Sequence, residues 1–391
     1  MNIARVGDIA TQIRGVTFSK GDSRDSPCEG YLPVVRANNI KDDGLDLSEF
    51  VYVPVSKIRD NQRLRSNDVV VSSSSGSLSS VGKAAYVANS MDVAWGAFLK
   101  VLRPGGQVDG KYFSHFFRTD SYRRNVSALA AGVNINNLKK EHLDNLQMRL
   151  PPLGEQRRIA GILDQADAIR TKRRASLALL DELTQSVFLD LSVSSEPQKM
   201  RFGDLVQNFR NGLSPSNSGE FGAQVLTLGA ITHGRFDPTS RRAAMFDRIP
   251  EENVRVRKQD FLVCRGNGNI DLVGQGVFPQ SDDDQVVFPD TMIACRLDAD
   301  KIRPPYLAAL WGQRVVRQQI EVGARTTNGT FKINQKILGD VSLPIPPLAV
   351  QQEFAARVEK INAQRALVER ALEKDEELFA SLQSRAFSGE L

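Results

Sequence analysis

The sequence predicts an α+β protein with a pseudo-two-fold internal repeat: two tandem mixed-sheet domains separated by two long helices that form an antiparallel coiled coil. Three observations predict it. Short motifs recur in the same order about 195 residues apart, β-rich runs bounded by turn residues fill the first part of each repeat, and an apolar seam of 4-3 spacing fills the rest.

The repeat is read from four anchors. R-V-G-D-I (Arg5–Ile9) returns as R-F-G-D-L (Arg201–Leu205), and N-D-V-V-V (Asn67–Val71) as Q-D-F-L-V (Gln259–Val263). G-S-L-S-S-V-G-K (Gly76–Lys83) returns as G-N-I-D-L-V-G-Q (Gly268–Gln275), and P-P-L-G-E-Q (Pro151–Gln156) as P-P-L-A-V-Q (Pro346–Gln351). The offsets stay between 192 and 196 residues, so one unit is duplicated in tandem. Expected boundaries are 1–150 for the first domain, 151–196 for a central helical spacer, 197–343 for the second domain and 344–391 for a C-terminal helical spacer.

Within the domains, Y-L-P-V-V-R, D-V-V-V-S and K-A-A-Y-V-A read as strands, as do V-L-T-L, D-F-L-V-C and M-I-A-C-R-L in the second copy, because Gly, Asn, Asp and Ser bound each run. Helix is expected from Lys111 to about Ala130 and from Pro305 to about Val322. Each Pro-Pro pair then suits a helix start, since proline fixes φ and is tolerated in the first turn. The 4-3 spacing places Ile159, Leu163, Ala166, Leu177, Leu180, Val187 and Leu191 on the first seam, and Phe354, Val358, Ile361, Val368, Leu372, Phe379, Leu382 and Ala386 on the second. Seams this long are covered most completely by pairing with each other, which would hold the two domains at opposite ends of the pair. Arg170 and Arg365 interrupt the seams at equivalent positions; they either snorkel to solvent or open the seam to a partner.

Composition narrows the function. The chain has 391 residues, a net charge of +5 and a pI of about 9.1. The segments Glu155–Leu191 and Pro344–Leu391 carry net charges of 0 and −2, so the basic excess lies in the two non-helical blocks, where a polyanion would dock. Cys28, Cys264 and Cys295 are far apart and fit neither a disulfide framework nor a zinc site. No metal is expected. No apolar run of membrane-spanning or signal-peptide length occurs, so a cytoplasmic location with no membrane partner is expected.

Catalytic motifs are missing. There is no phosphate-binding G-x-x-x-x-G-K-[ST] loop and no G-x-S-x-G elbow, and His115, His142 and His233 lack metal-ligand spacing. Arg303-Pro304-Pro305-Tyr306 resembles the amino-methyltransferase tetrapeptide, but arginine cannot accept the hydrogen bond that its first position must accept. A non-catalytic binding protein is the expectation.

Polar, permissive loops at equivalent positions are the candidate DNA contacts, because Arg, Lys, Asn, Gln, Ser and Thr pair with phosphates and base edges. In the first copy these are Arg36, Asn38 and Asn39; Ser73, Ser74, Ser75, Ser77 and Lys83; and Asn134, Asn136, Asn137 and Lys139. In the second they are Arg265, Asn267, Asn269 and Gln275, with Arg325, Thr326, Thr327, Asn328 and Lys332. The loops differ between copies while the anchors repeat, so two domains reading DNA would read different sequences.

Three segments, L-P-P-L-G-E-Q-R-R-I-A-G-I-L-D (Leu150–Asp164), I-P-P-L-A-V-Q-Q-E-F (Ile345–Phe354) and the terminal A-F-S-G-E-L (Ala386–Leu391), carry a resemblance to the specificity (S) subunits of type I restriction-modification systems. The family's P-P-L-x-E-Q-x-x-I motif is complete in the first copy, whereas Val350 replaces the acidic residue in the second. The resemblance implies a target-recognition domain in each half. Each domain would read one half of a bipartite, asymmetric double-stranded site, with helices that set the spacing and dock two modification (methyltransferase) subunits. S-adenosylmethionine would sit on those partners, with no cofactor in this chain, and restriction subunits, where present, would add ATP-driven translocation and cleavage.

Overall fold

The computed structural model describes all residues except Met1, Asp42, Asp43, Gly76, Leu78, Ser79, 131–135 and Asn328. It divides into two compact units, Met1–Ser176 with Val368–Leu391, and Leu177–Leu367. Two 41-residue helices, Leu153–Val193 and Leu348–Ser388, each contribute one part to each unit.

In the first unit a four-stranded antiparallel sheet has the order Ala10–Arg14, Leu99–Pro104, Val69–Ser72, Ala84–Tyr86. A second, mixed sheet pairs Tyr31–Val35 in parallel with Ala94–Trp95 and antiparallel with Val51–Pro54. The second unit repeats the first sheet as Val206–Asn211, Met292–Leu297, Asp260–Cys264, Gly276–Val277. Its other sheet is again mixed, built on Phe221–Leu226. Each strand-like run of the sequence overlaps one of these strands, though V-L-T-L stays in strand only to Leu226 and Leu228 opens a short 3-10 helix.

Expected helix 111–130 is two helices, Gly110–Phe116 and Asp120–Ala130, and its counterpart is Pro304–Trp311 and Arg314–Gly323. Thr119 makes the first break: its hydroxyl donates to the Phe116 carbonyl (2.8 Å) and accepts from the Tyr122 N–H (3.2 Å), recapping the chain.

The repeated anchors hold this frame. Asp68 and Asp260 are fully buried; Arg103 bonds both oxygens of the first (2.8 Å each), while Arg296 and Arg210 clasp the second. Gly82 and Gly274 adopt φ of 78° and 77°. A Cβ there would lie 2.4 Å from Val126 Cγ1 and 2.5 Å from Ile320 Cγ2 respectively, so both left-handed backbone and close helix packing require glycine. The turns they form are pinned by Arg123 on the Val81 carbonyl and Arg317 on the Val273 carbonyl.

The long helices pair antiparallel inside each unit. In the first, Arg173 meets Asp375, Arg174 meets Glu376, and Arg170 stacks 4.1 Å over the Phe379 ring. In the second, Arg365 meets Asp181 and Phe188 packs on Phe354, with ring centroids 5.7 Å apart. Every 4-3 position of both helices is buried or half-buried. The seam arginines are thus engaged within their own units, Arg170 covering an aromatic ring and Arg365 holding a carboxylate. Phe188, one residue off the expected seam, is 98% covered because it turns toward Tyr306 of its domain as well as toward Phe354.

Ion pairs also join helix to domain in the first unit. Asp164 accepts from Lys111 (2.6 Å) and contacts His115 (2.8 Å), and Asp167 takes Arg118 through both oxygens. Burial alone would raise both carboxyls, but these partners outweigh it and hold each below its ordinary value. Among the described residues no helix is long and apolar enough to cross a membrane.

Candidate nucleic-acid interface

In the first unit the sheet strand Val69–Ser72 continues into Ser74–Ser75, which pairs antiparallel with Asn136–Asn137. Two loops distant in sequence therefore form one ribbon. The Phe98 carbonyl anchors it, accepting from Ser73 N–H (2.9 Å), Ser73 Oγ (2.9 Å) and Ser74 N–H (3.2 Å). Leu138 N–H donates to the Ser73 carbonyl (2.8 Å), and Lys100 Nζ to the Leu138 carbonyl (2.7 Å).

Beside the ribbon lies a cleft of about 500 Å³ whose charged lining residues are Arg14, Lys100, Lys139 and Lys140, all cationic. Burial lowers the Lys100 pKa, and Lys140 is paired with Asp144. The cleft continues along the edge strand Ala10–Arg14 into a second of about 580 Å³, lined also by Lys57 and Arg59. A basic, open, polar groove of this kind suits a sugar-phosphate backbone.

The second unit builds the corresponding ribbon from different residues. Gly266–Asn267 pairs with Thr330–Lys332, which pairs with Arg325–Thr327. Arg265 N–H donates to the Thr291 carbonyl (2.8 Å), and Ile333 N–H to the Arg265 carbonyl (2.9 Å), repeating the Ser73–Phe98 and Leu138–Ser73 bonds. Gly329, at φ 74°, permits the tight hairpin turn.

The candidates separate into groups. Ser74, Ser75, Asn136, Asn137 and Lys139 come together on the first ribbon, and Arg265, Asn267, Arg325, Thr326, Thr327 and Lys332 on the second. Ser73 is buried with its hydroxyl on Phe98, and Asn39 is buried, its Nδ2 donating to the Asp46 and Glu49 carbonyls and its Oδ1 accepting from Arg36 N–H. Both side chains face inward and hold loops. Arg36 and Asn38 are exposed beside that turn, and Ser77 is exposed past the first ribbon. Lys83 lines a separate basic cleft with Arg123, Arg170 and Arg174. Asn269 caps the turn by accepting from Asp271 N–H, and Gln275 donates to the Asp271 carbonyl. Asn134 and Asn328 lie outside the described residues. Arg14, Phe98 and Lys100 were not legible as candidates. Lys100 left one signal, a lysine inside the apolar run Leu99–Leu102; Phe98, next to a strand, reads as core.

Residues 1–179 match the family model for the type I restriction modification DNA specificity domain. The chain is 31% identical to the EcoKI specificity subunit of Escherichia coli K12, over 100% of this chain and 89% of that one. The chain belongs to the type I restriction enzyme specificity subunits. It is likewise 31% identical to the StySPI specificity subunit of Salmonella potsdam, over 99% and 88% of the two chains. The fold is that of the type I restriction-modification S subunit from M. genitalium (TM-score 0.56, 14% identity, 99% and 96% covered). A solved chain from the type I R-M system, studied for complex assembly and conformational transition, is equally similar in fold (TM-score 0.55, 16% identity, 100% and 98% covered).

Membership gives the P-P-L-x-E-Q motif of the specificity subunits a physical reading here. Gln156 and Gln351 are almost fully buried. Gln351 Oε1 accepts from Arg303 N–H (2.9 Å), while Nε2 donates to the Pro346 (3.0 Å) and Lys301 (3.1 Å) carbonyls. Gln156 makes the same three bonds, to Asp109 N–H and to the Pro151 and Gln107 carbonyls. Each glutamine thus ties the start of a long helix to the cap of a short domain helix, a task needing donor and acceptor in one side chain. The acidic residue before it is dispensable to this bond, as Val350 shows. At the terminus, Phe387 stacks 5.1 Å from Tyr112 and Arg158 donates to the Leu391 carbonyl, so the A-F-S-G-E-L segment is a packing element of the first unit.

Proposed function

We propose that this chain reads DNA for a type I restriction-modification complex, the domain within 1–150 reading one half of a bipartite asymmetric site and that within 197–343 the other. One observation carries the proposal: repeat-identical residues (Asp68 and Asp260, Gly82 and Gly274, Gln156 and Gln351) hold two equivalent frames, the same backbone hydrogen bonds anchor a ribbon on each, and the two ribbons carry different polar residues. Arg14 and Lys139 in the first domain, and Arg325 and Lys332 in the second, supply salt-dependent phosphate affinity. Ser74, Ser75 and Asn137, against Arg265, Asn267 and Thr326, supply hydrogen-bonding groups for base edges.

Methylation belongs to two partner subunits that carry S-adenosylmethionine and extrude the target adenine; restriction subunits, where present, bring ATP-driven cleavage. The two long helices set the separation of the half-sites, as dimer geometry does elsewhere, and dock the methyltransferases. Methylome sequencing of a host with and without the gene should reveal a bipartite motif that depends on it. Methyl transfer by the purified chain alone would contradict the assignment, and failure to co-purify with a methyltransferase would favour a solitary DNA-binding protein. Removing four residues from the Gln156–Asp190 stretch of the first long helix should change the spacing or abolish binding while both half-site sequences persist. Full binding at unchanged spacing would remove the ruler.

A further inference from the structure

Phe98 is 66% exposed on the wall of the cleft whose charged residues are Arg14, Lys100, Lys139 and Lys140. An aromatic ring in water beside four cations contributes little to the core. Nor is it loosely held. Its carbonyl accepts three hydrogen bonds from Ser73 and Ser74, Leu99 after it is fully buried, and the strand Leu99–Pro104 is paired on both sides. The fold therefore presents the ring from a fixed point. Cations at the rim draw in phosphates, and a ring among them meets what lies beside the phosphates. That is the base edges in the groove, where the thymine methyl group is the apolar surface that a duplex exposes.

The corresponding residue of the second unit, marked by the Arg265 N–H donated to its carbonyl, is Thr291, which is also exposed. The aromatic surface is present in one domain and replaced by a small polar side chain in the other.

We infer that Phe98 is a specificity-determining residue: its ring packs against a base at one place in the half-site read by the first domain. The inference rests on the DNA-reading function proposed above. Full-length wild-type and Phe98→Ala chains, each assembled with the methyltransferase subunits, would be used to select bound duplexes from a random pool for sequencing. The wild type should return a bipartite motif. Phe98→Ala should return the same motif with one base pair, or two adjacent ones, degenerate in one half only, and its affinity for the parent site should fall roughly 10- to 100-fold. Spacing and the other half should not change. Should Phe98→Ala fail to fold, Phe98→Thr, bearing the side chain of Thr291, carries the same comparison. An unchanged motif and affinity overturns the inference, as does a loss of affinity equal across all sequences. A wild-type complex that selects no motif would instead refute DNA reading itself.

Discussion

Gln351→Leu isolates the bond that ties helix to domain. The side chain is fully buried and makes three hydrogen bonds of 2.9 to 3.1 Å. Leucine matches its bulk but leaves one N–H and two carbonyl groups without that partner. Each orphaned group costs about 1–3 kcal/mol, less than additively, and the apolar side chain recovers part, so a net loss of roughly 3 kcal/mol is expected. At about 2–4 °C per kcal/mol for a unit of this size, the melting transition should fall by roughly 6–12 °C. Scanning calorimetry of the full chain measures the shift, and limited proteolysis should show new cleavage within Leu177–Leu367. Gln351→Glu is the sharper companion. It keeps the acceptor for Arg303 N–H but aims a carboxylate oxygen at two carbonyls, which favours the protonated acid. The folded-state pKa of the introduced acid is then raised, so stability should recover as the pH falls. A leucine variant melting within 2 °C of wild type, or a glutamate variant without pH dependence, would refute the tie.

Lys139→Ala and Lys332→Ala should each reduce the slope of log affinity against log salt by about 0.9 without reordering preferred sites, as titrations at several ionic strengths would show. Asn39→Ala should cost about 1–3 kcal/mol in urea unfolding because a buried side chain holds a loop, whereas exposed Asn38→Ala should stay within about 0.5 kcal/mol. Asp164 and Asp167 are held below the usual 3.8. The unfolded chain therefore binds more protons in acid, and their contribution, complete above about pH 5, is lost as the pH falls through and below the usual carboxyl range. A double Asp164→Asn, Asp167→Asn variant should show a flatter acid limb in stability measured from pH 6 to pH 3.

The duplication, the mixed α+β class and the paired helices were legible in the order of residues alone. A 4-3 seam and an alternating strand are patterns among near neighbours, and all fifteen apolar seam residues are indeed buried or half-buried. The repeated Asp68/Asp260, Gly82/Gly274 and Gln156/Gln351 were visible as landmarks, though not as a buried ion pair, a left-handed turn under a helix and a helix tie. Which candidate side chains stay exposed depends on contacts between segments distant in the chain. Ser74–Ser75 meets Asn136–Asn137 through hydrogen bonds between segments far apart in the chain. Asn39 turns inward because carbonyls of Asp46 and Glu49 await its amide. Phe98 stands in solvent because, among the described residues, no distant element packs over it. Exposure depends on what the rest of the chain brings to a side chain, and residue type and local spacing do not carry that information.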